Sequence, residues 1–370
     1  MSIASLLALF VLAYTYVGYP VLVTVLARLF PLRTRADDAW TPTVTACIPA
    51  FDVEAYLDAK LESLAALDYP PDKLEVLVYD DGSRDGSKAI AERFAAKDPR
   101  VKVIAGPGRA GKPRGVNAML ERATGEVLLM TDARQPVVPG ALRALVTKLA
   151  DPRVACVSGN LVLKGGAGAG AYWRYENFIR KSEASFRGMV GVTGPIYVVR
   201  RADMAKLPEG IILDDMWVPM RLRLDGRTIL FAPEAVAHDD AFADAREYGR
   251  KVRTLAGNYQ LFSLLPRLVF PILNPSWFET FSHKILRLVC PWALAVLAVA
   301  SVVGSVAAPS HAELLALRAL VAGQAAFYLL AILGGAAGKL GALARTFVVL
   351  NTAAVVGLFR FATGAQRVTW

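Results

Sequence analysis

Long uncharged apolar runs at both ends of this 370-residue chain constrain its fold most strongly. Ile3–Phe30 contains a single charged side chain, Arg28, and is long enough to cross the roughly 30 Å hydrocarbon layer of a bilayer. Three further apolar runs lie near the C-terminus, at Ile285–Ala307, Leu314–Leu333 and Leu343–Phe359. The four runs predict one N-terminal and three C-terminal transmembrane helices, so a soluble fold is expected only between them.

Basic side chains beside these runs predict their orientation. Arg28, Arg33 and Arg35 cluster at the end of the first run, and Lys284 and Arg287 mark the start of the second. Because cytoplasmic flanks of membrane helices are rich in Lys and Arg, we expect an integral inner-membrane protein whose soluble part faces the cytoplasm. The last 111 residues hold eight Lys or Arg and two acids, which accounts for most of the formal net charge of +10. This excess indicates contact with anionic lipids, and nucleic acid is not an expected partner.

The cysteine and histidine content limits the kinds of site that the chain can build. Cys47, Cys156 and Cys290 are far apart, which excludes a disulfide framework and a Cys-x-x-Cys metal site. The three histidines are scattered as well, so a zinc centre built from histidines is not expected.

The nearly charge-balanced sequence between the apolar runs predicts a soluble α/β domain. Its strand-like runs are Val44–Ile48, Leu74–Tyr79, Val101–Ile104, Glu126–Thr131 and Val154–Ser158. Its helix-like stretches are Ser87–Ala96, Val116–Ala123, Ala141–Leu149, Ala171–Arg187, Met216–Leu224 and Ala245–Leu264. Strands separated by helices predict a mostly parallel sheet, and such sheets bind ligands at the carboxyl ends of their strands. We therefore expect an anchor at 1–35, a soluble domain at 40–260, interfacial helices at 261–284 and transmembrane helices at 285–370.

Two successive acids, Asp80 and Asp81, follow the strand-like run Leu74–Tyr79 in the sequence LEVLVYDDGSRDGS. Carboxylates at the carboxyl end of a strand can accept hydrogen bonds from a nucleotide base or ribose. Capping of the next helix explains the later polar residues of this stretch, but not two acids at the strand end. The pattern therefore favours nucleotide binding by Asp80 and Asp81.

A third acid, Asp132, follows the strand-like run Glu126–Thr131. A carboxylate at this place can bind Mg²⁺ or Mn²⁺, and such a cation can bridge a diphosphate. An adjacent pair, Asp214 and Asp215, precedes the helix-like stretch Met216–Leu224. Neighbouring carboxylates raise one another's pKa and prepare one of them as a general base, although the same pair can cap the helix.

Two basic segments are candidates for binding phosphate. The run GPGRAG at Gly106–Gly111 follows the third strand and precedes Lys112, so it fits a basic phosphate loop better than a dinucleotide fingerprint, which belongs in the first βα turn. Arg250, Lys251 and Arg253 fall within about one helical turn. They can bind a departing diphosphate or lipid headgroups, and the sequence leaves both open.

Taken in this order, the motifs resemble those of family 2 glycosyltransferases, which are membrane-bound inverting enzymes with a GT-A catalytic domain, in the cellulose-synthase-like and ceramide-glucosyltransferase-like group. The resemblance covers about Thr43 to Phe262. The stretch VTACIPAFDVEAYL, which contains Pro49, is similar to the opening strand-P-A-[FY]-N-E motif, with Asp52 in place of Asn. The resemblance implies that residues 40–260 form a cytoplasmic GT-A domain with a mostly parallel sheet flanked by helices.

The resemblance also implies where the nucleotide and the metal bind. Together with the basic stretch after Glu247, it assigns nucleotide binding to Pro49, Asp80, Asp81, Lys112, Asn117, Arg250 and Arg253. Asp132 aligns with the first acid of the D-x-D metal motif and is the implied metal ligand. Arg134 stands where that motif has its second acid.

Catalytic roles are implied in the same way. Asp214 and Asp215 resemble the acidic pair of the family, whose second member is the base. Arg250 keeps the arginine of the Q-x-x-R-W element, whereas Glu247 and Lys251 replace its Gln and Trp. That element is prominent in processive synthases, so its incomplete form favours transfer of one or a few sugars. The segment 191–201, GVTGPIYVVRR, is similar to an acceptor-side loop, and a plain turn leading into a strand fits it equally well.

The expected function is inverting transfer of a sugar from a nucleotide sugar, UDP-linked by the resemblance, to a lipid or glycan at the cytoplasmic membrane face. Its expected cofactor is a divalent cation, and its expected partners are the donor, the acceptor and membrane lipids. A processive polysaccharide synthase with a channel is the alternative within this class. A membrane-tethered NAD(P) oxidoreductase and a non-catalytic sugar-binding subunit are alternatives outside it. The oxidoreductase predicts a glycine fingerprint in the first βα turn, where this chain has Pro49, Ala50 and Phe51.

Overall fold

A seven-stranded mixed sheet organises the soluble part of the chain in the computed structural model, which describes residues 3–164, 167–240, 244–307 and 310–366. Its strands are β1 (Val44–Ala50), β2 (Leu74–Asp80), β3 (Val101–Ala105), β4 (Val127–Met130), β5 (Val154–Lys164), β6 (Tyr197–Arg200) and β7 (Thr228–Asp240). They lie side by side in the order β3-β2-β1-β4-β6-β5-β7. In the described residues, β6 runs antiparallel to β4 and β5, and the other pairings are parallel. The predicted mostly parallel sheet is therefore confirmed.

Helices cover the sheet and extend beyond it at both ends of the chain. They are α1 (Ile3–Ala13), α2 (Tyr19–Leu29), α3 (Glu54–Ala65), α4 (Ser87–Lys97), α5 (Lys112–Arg122), α6 (Ala141–Leu149), α7 (Ala167–Phe186), α8 (Asp214–Leu224), α9 (Asp244–Leu264), α10 (Trp277–Glu279), α11 (Leu286–Ala307), α12 (His311–Leu333) and α13 (Gly338–Ala362). Each predicted helix-like stretch overlaps one of them. The elements α3 and β7 are not among the predicted ones, whereas β6 lies in the segment 191–201, for which a turn leading into a strand was one of two interpretations. Helices α5 and α8 begin earlier than predicted, so Lys112 and Asp214 lie in first helical turns.

Alternate residues of the central strands point into two hydrophobic cores. Ala46 and Ile48 of β1 pack on one face with α3, α4 and α6, whereas Cys47 packs on the other face with α5 and α8. Because both faces are covered, β1, β2 and β4 are apolar along most of their length and lack polar alternation. This double burial explains why those strands are recognisable in the sequence.

Three helical segments of the described chain are long and apolar enough to cross a membrane: Ile3–Leu29, Trp277–Val306 and His311–Ala362. The first passes through a π-helical turn at Tyr14–Gly18. The third spans 52 residues and divides at a 3₁₀ turn, Gly334–Ala337, into α12 and α13. All four predicted apolar runs are therefore helical, and the last two belong to one segment.

The predicted interfacial helices over 261–284 are replaced in large part by turns. After α9 ends, Pro266–Val269 forms a 3₁₀ turn, and irregular backbone follows as far as α10. Prolines at 266, 271 and 275 explain this difference, because proline lacks the N–H that a continuing helix needs. Phe270 and Ile272 are 54% and 95% exposed, so this turn presents apolar surface. Its place at the bilayer interface stays a prediction.

A buried polar network joins the soluble domain to the membrane-side helices. Glu183 of α7 accepts a hydrogen bond from the Tyr19 hydroxyl (2.6 Å) and contacts His283 Nδ1 (2.7 Å). Glu176, two turns earlier on α7, contacts His283 Nε2 (3.2 Å) and pairs with Arg287. The network therefore positions α2 and the start of α11 against α7.

Candidate active site

Acidic side chains from three parts of the chain meet at the carboxyl edge of the sheet. Asp80 ends β2 and Asp81 follows it, Asp132 follows β4, and Asp214 and Asp215 open α8. Asp80, Asp81 and Asp214 are buried. Because a buried carboxylate is strongly unfavourable without a partner, the groups around these acids determine what the edge can bind.

Asp81 holds the glycine-rich loop against the sheet. Its carboxylate accepts the backbone N–H groups of Ala110 (2.9 Å) and Gly111 (2.7 Å). The Asp80 carboxylate accepts the Ser83 N–H (3.1 Å) and stabilises the turn after β2. This loop lies between β3 and α5 and not in the first βα turn, as expected for a phosphate loop and not for a dinucleotide fingerprint.

Asp52 stabilises the first βα turn in a left-handed conformation, with φ of 48°. Its carboxylate accepts the Arg84 N–H (2.8 Å), and its own N–H donates to Ser83 Oγ (3.1 Å). Asp and Asn tolerate this conformation better than most residues, so Asp52 is well suited to a position where the family motif has Asn. Pro49 lies just before it in β1, paired in register with Tyr79.

Lys112 joins two of the acids at the centre of the edge. Its ammonium lies 2.9 Å from Asp132 Oδ1 and 3.1 Å from Asp214 Oδ2. Burial alone would raise the pKa of Asp132, but the Lys112 ammonium holds it below its usual range. Conversely, burial would lower the pKa of Lys112, and the two carboxylates raise it. The predicted phosphate-loop lysine is therefore a fixed cation shared between two acids.

Asp215 differs from its neighbour because Lys112 makes no ion pair with it in the described structure. Burial and the adjacent Asp214 carboxylate raise the pKa of Asp215 to about 6. The loop before β6 passes directly over it, and a side chain at Gly194 would meet Asp215 Oδ2 at 2.9 Å. A carboxylate with this pKa can accept a proton near neutral pH.

Arg134 pairs with Asp239, an acid that the sequence motifs did not reveal. Its guanidinium Nε donates to Asp239 Oδ1 (2.9 Å) near the end of β7, and Gln135 Nε2 donates to Asp239 Oδ2 (2.8 Å). Within the described ranges, no group of three or more His, Cys, Asp or Glu side chains is arranged to hold a metal ion. Asp132 therefore offers a single carboxylate at this position, and its side chain is 29% exposed.

Lys60 of α3 is a buried cation that sequence reasoning missed. Its ammonium donates to Thr131 Oγ1 (2.6 Å) and to the carbonyl of Gln135 (2.7 Å), on either side of Asp132 in the chain. Burial lowers the pKa of Lys60 to about 7, although Asp132 opposes this shift. The available signal was its spacing, because Lys60 lies on the same helical face as the buried Leu57 and Leu64.

Three predicted site residues remain to be placed: Asn117, Arg253 and Arg250. Asn117 is used elsewhere, since its side-chain amide donates to the carbonyl of Leu207 (2.9 Å) and accepts the Leu207 N–H (2.7 Å). The structure therefore does not bring Asn117 to the acids, because its position on α5 faces the loop before α8. Arg253 Nη2 donates to the carbonyl of Ile212 (3.3 Å) and supports the start of α8. Burial lowers the pKa of Arg250, which lines a cavity together with Asp215.

That cavity, of about 310 Å³, connects the acidic edge with the membrane-side helices. Asp215 and Arg250 line it at the edge, and Leu288 of α11 and Leu350 of α13 line it on the membrane side. A ligand in this cavity can therefore touch Asp215 and apolar helix surface at once.

A mostly parallel sheet whose carboxyl edge carries acids and a basic glycine-rich loop is the arrangement of a GT-A fold. The described chain adds three helical segments that are long and apolar enough to cross a membrane. Residues 45–205 match the family model described as glycosyl transferase family 2. This match covers less than half of the chain and includes the stretches around Asp80, Asp81 and Asp132 that carry the resemblance.

Known proteins that resemble the chain include glycosyltransferases of several kinds. An N-acetylglucosaminyltransferase of Rhizobium meliloti is 30% identical over 186 residues, which are 48% of this chain and 42% of the relative. A beta-monoglucosyldiacylglycerol synthase of Synechocystis is 27% identical, over 50% of this chain and 40% of that protein. The chain thus spans less than half the length of these two relatives.

One solved structure shares the architecture of nearly the whole chain. A mannosyltransferase of Pyrobaculum calidifontis, solved in complex with GDP-Man and Mn²⁺, superposes with a TM-score of 0.77 and covers 97% of this chain and 99% of that one. Its sequence is 24% identical, so the similarity establishes a shared fold, including the placement of helices around the sheet.

The buried Lys60 predicts an unusual pH dependence of stability. Between pH 7 and 9 the unfolded chain keeps this lysine protonated, whereas the folded protein releases the proton through a pKa of about 7. The free energy of unfolding should therefore rise by about 2 kcal/mol over this range relative to Lys60→Met. Thermal unfolding at several pH values measures the difference. The exposed Lys97→Met is the matched control and should behave like wild type; equal pH slopes for wild type and Lys60→Met would contradict the prediction.

Proposed function

We propose that the chain transfers a sugar from a nucleoside-diphosphate sugar to a membrane-associated acceptor, with inversion at the anomeric carbon. The observation that carries this proposal is the arrangement around Lys112, which pairs with Asp132 and Asp214 but not with Asp215, whose pKa is raised and which lines a cavity. The match of residues 45–205 to the family 2 glycosyl transferase model supports the reaction class. UDP is the expected nucleotide, by resemblance, with Asp80 and Asp81 at the nucleoside.

Asp215 is the proposed general base. The acceptor hydroxyl gives its proton to the Asp215 carboxylate while its oxygen bonds to the anomeric carbon. The bond from that carbon to the diphosphate oxygen breaks on the opposite side, and the nucleoside diphosphate leaves. Lys112 and Arg250 provide fixed positive charge where negative charge develops on the leaving group.

A divalent cation fits the residues at Asp132. Its carboxylate is partly exposed, and Mg²⁺ is commonly bound by one or two carboxylates together with the phosphates of a substrate. When bound, the cation would neutralise diphosphate charge. Arg134 is engaged by Asp239, so the missing second acid of the D-x-D motif does not leave an arginine competing for Asp132.

We also propose that the soluble domain, residues 40–260, faces the cytoplasm, with the anchor at 1–35 and the helices at 285–370 in the inner membrane. Arg33 and Arg35 after the first helix support this orientation, and so do Lys284 and Arg287 at the start of the second apolar segment. The exposed Phe270 and Ile272 support contact of the 261–284 segment with the bilayer interface.

The direct test is a panel of UDP- and GDP-sugars incubated with purified full-length protein and membrane-lipid extract. We expect release of nucleoside diphosphate with at least one donor and a product extended by one or a few sugars. Asp215→Asn should lower the transfer rate at least about 100-fold, because the base is lost, without weakening nucleoside diphosphate binding. Asp225→Asn, an exposed acid just after α8, should retain the wild-type rate.

Consumption of none of the donors would refute the proposal as a whole. Wild-type transfer by Asp215→Asn would refute only the base. A long polymer as product would instead favour the processive alternative.

The pKa of Asp215 predicts how activity depends on pH. Because the base must be deprotonated, kcat/KM should rise about tenfold per pH unit below pH 6 and level off above it. Asp214→Asn removes a negative charge that raises this pKa, so the inflection should move to lower pH. A pH–rate profile of both proteins measures the shift; an unchanged inflection would show that another group controls the profile.

Removal of divalent cations tests the role of Asp132. Chelation should abolish transfer, and Mn²⁺ or Mg²⁺ should restore it. Asp132→Asn should raise the metal concentration needed for half-maximal activity at least about tenfold, because its carboxylate is the proposed protein ligand. Asp72→Asn, exposed in the turn before β2, should need no more metal than wild type. Full activity of wild type in chelator would contradict the cation proposal.

A further inference from the structure

The cavity beside Asp215 carries more positive than negative charge. Five Lys or Arg side chains line it, and three acids do so: Arg180, Arg250, Lys251, Lys284 and Arg287 against Glu176, Asp215 and Glu247. Two of the acids are engaged within the wall, since Glu176 pairs with Arg287 and Glu247 lies 3.5 Å from Lys251. The surplus of cations is therefore a property of the cavity itself.

Two of these cations, Lys284 and Arg287, have donor groups without a partner in the described part of the chain. Among the described residues, Lys284 forms no ion pair or hydrogen bond, because the nearby Glu176 and Glu183 contact His283 and Arg287 instead. Arg287 donates through Nη1 to Glu176, while its Nε and Nη2 are buried and lack a hydrogen-bond partner in the described part of the chain. Buried donors without a partner are unfavourable, and Glu176 pairs with Nη1 of Arg287 alone, so an anionic ligand in the cavity would satisfy the donors that are left.

The two ends of the cavity restrict what this anion belongs to. Leu288 and Thr346 lie on helices of the apolar segments, and Trp173 lies across the cavity wall on α7. At the other end is Asp215, a carboxylate whose proposed role is to deprotonate a hydroxyl. A ligand that fills the cavity therefore has an apolar part, an anionic group in the middle and a hydroxyl beyond it.

We propose that this cavity binds the acceptor, a membrane lipid whose headgroup carries a phosphate or a diphosphate, with Lys284 and Arg287 on the phosphate and a hydroxyl beyond it at Asp215. The inference rests on the proposed transferase function. In the transfer, the hydroxyl oxygen bonds to the anomeric carbon, its proton passes to Asp215, and the donor loses its nucleoside diphosphate. The lipid phosphate is held and does not react, since a phosphate nucleophile is already ionised and needs no base.

Lipid binding without donor tests the inference separately from catalysis. Native mass spectrometry of the full-length protein in detergent would titrate three probes: dioleoyl phosphatidic acid, a polyprenyl-diphosphate-linked N-acetylglucosamine and the uncharged dioleoylglycerol. We expect the two phosphate-bearing lipids to bind at least tenfold more tightly than dioleoylglycerol. The tighter of the two identifies whether the headgroup is a monophosphate or a diphosphate.

Variants locate the binding at Lys284. Lys284→Gln should weaken binding of both phosphate lipids about tenfold, the loss expected for one charge-assisted hydrogen bond, and leave dioleoylglycerol unchanged. Lys284→Arg keeps the positive charge and should retain most of the wild-type affinity. If Lys284→Gln lost binding only because it unfolds, the arginine variant would not be expected to bind. Lys339→Gln removes an exposed lysine at the start of α13, outside the cavity lining, and should bind like wild type.

Two results would overturn the inference: equal binding of charged and uncharged lipids by wild type, or equal losses in Lys284→Gln and Lys339→Gln. A protein that binds phosphate lipids through Lys284 but consumes no nucleotide sugar would support the inference about the cavity and refute the proposed transferase function. Transfer to an acceptor without phosphate, unaffected by Lys284→Gln, would support the proposed transferase function and refute the inference about the cavity.

Discussion

The ammonium of Lys112 between Asp132 and Asp214 is the interaction on which the rest of the site depends. It joins the end of β4 to the start of α8 through the first residue of α5, so three separate elements converge on one charge. Removing one partner of such a buried cluster would leave an uncompensated charge, which typically destabilises a protein by about 3–5 kcal/mol. The same pairing leaves Asp215 as the acid whose pKa is raised. The pairing that holds these three elements together thus also sets Asp215 apart as the proposed base.

Two sets of cations lie on the proposed donor side and on the proposed acceptor side of the molecule. Lys112 and the loop amides held by Asp81 lie at the carboxyl edge of the sheet, where a nucleotide is expected. Lys284 and Arg287 lie where α7 meets the apolar helices. Asp215 stands between the two sets, so each anionic group can be bound without bringing two phosphates together. The polar network around Glu183 maintains this separation, because it fixes the membrane-side helices against α7.

The sequence was informative where burial leaves a local pattern. Strands β1, β2 and β4 are covered on both faces and are therefore mostly apolar, and the acids after β2 and β4 follow directly from their ends. The antiparallel β6 has four residues, and β7 ends in polar residues, so neither has such a pattern. Contacts between residues far apart in the chain could not be predicted from the sequence. Examples are the contacts of Arg134 with Asp239 and of Lys60 with Thr131. Asn117 was predicted at the diphosphate because of its motif, whereas the rotation of α5 turns it toward Leu207.

Charge balance supports the proposal that a metal binds at this edge with a single protein carboxylate. Asp132, Asp214 and ionised Asp215 carry three negative charges against the one ammonium of Lys112, while Arg134 and Asp239 cancel each other. A nucleoside diphosphate brings further negative charge to the same place, so its binding requires additional cations. Arg250 supplies one, and Lys60, with a pKa of about 7, is only partly charged near neutral pH. The remaining deficit is what a divalent cation shared between Asp132 and the diphosphate would meet. A second acid at position 134 would deepen the deficit, so Arg134 is compatible with a cation held mainly by the substrate.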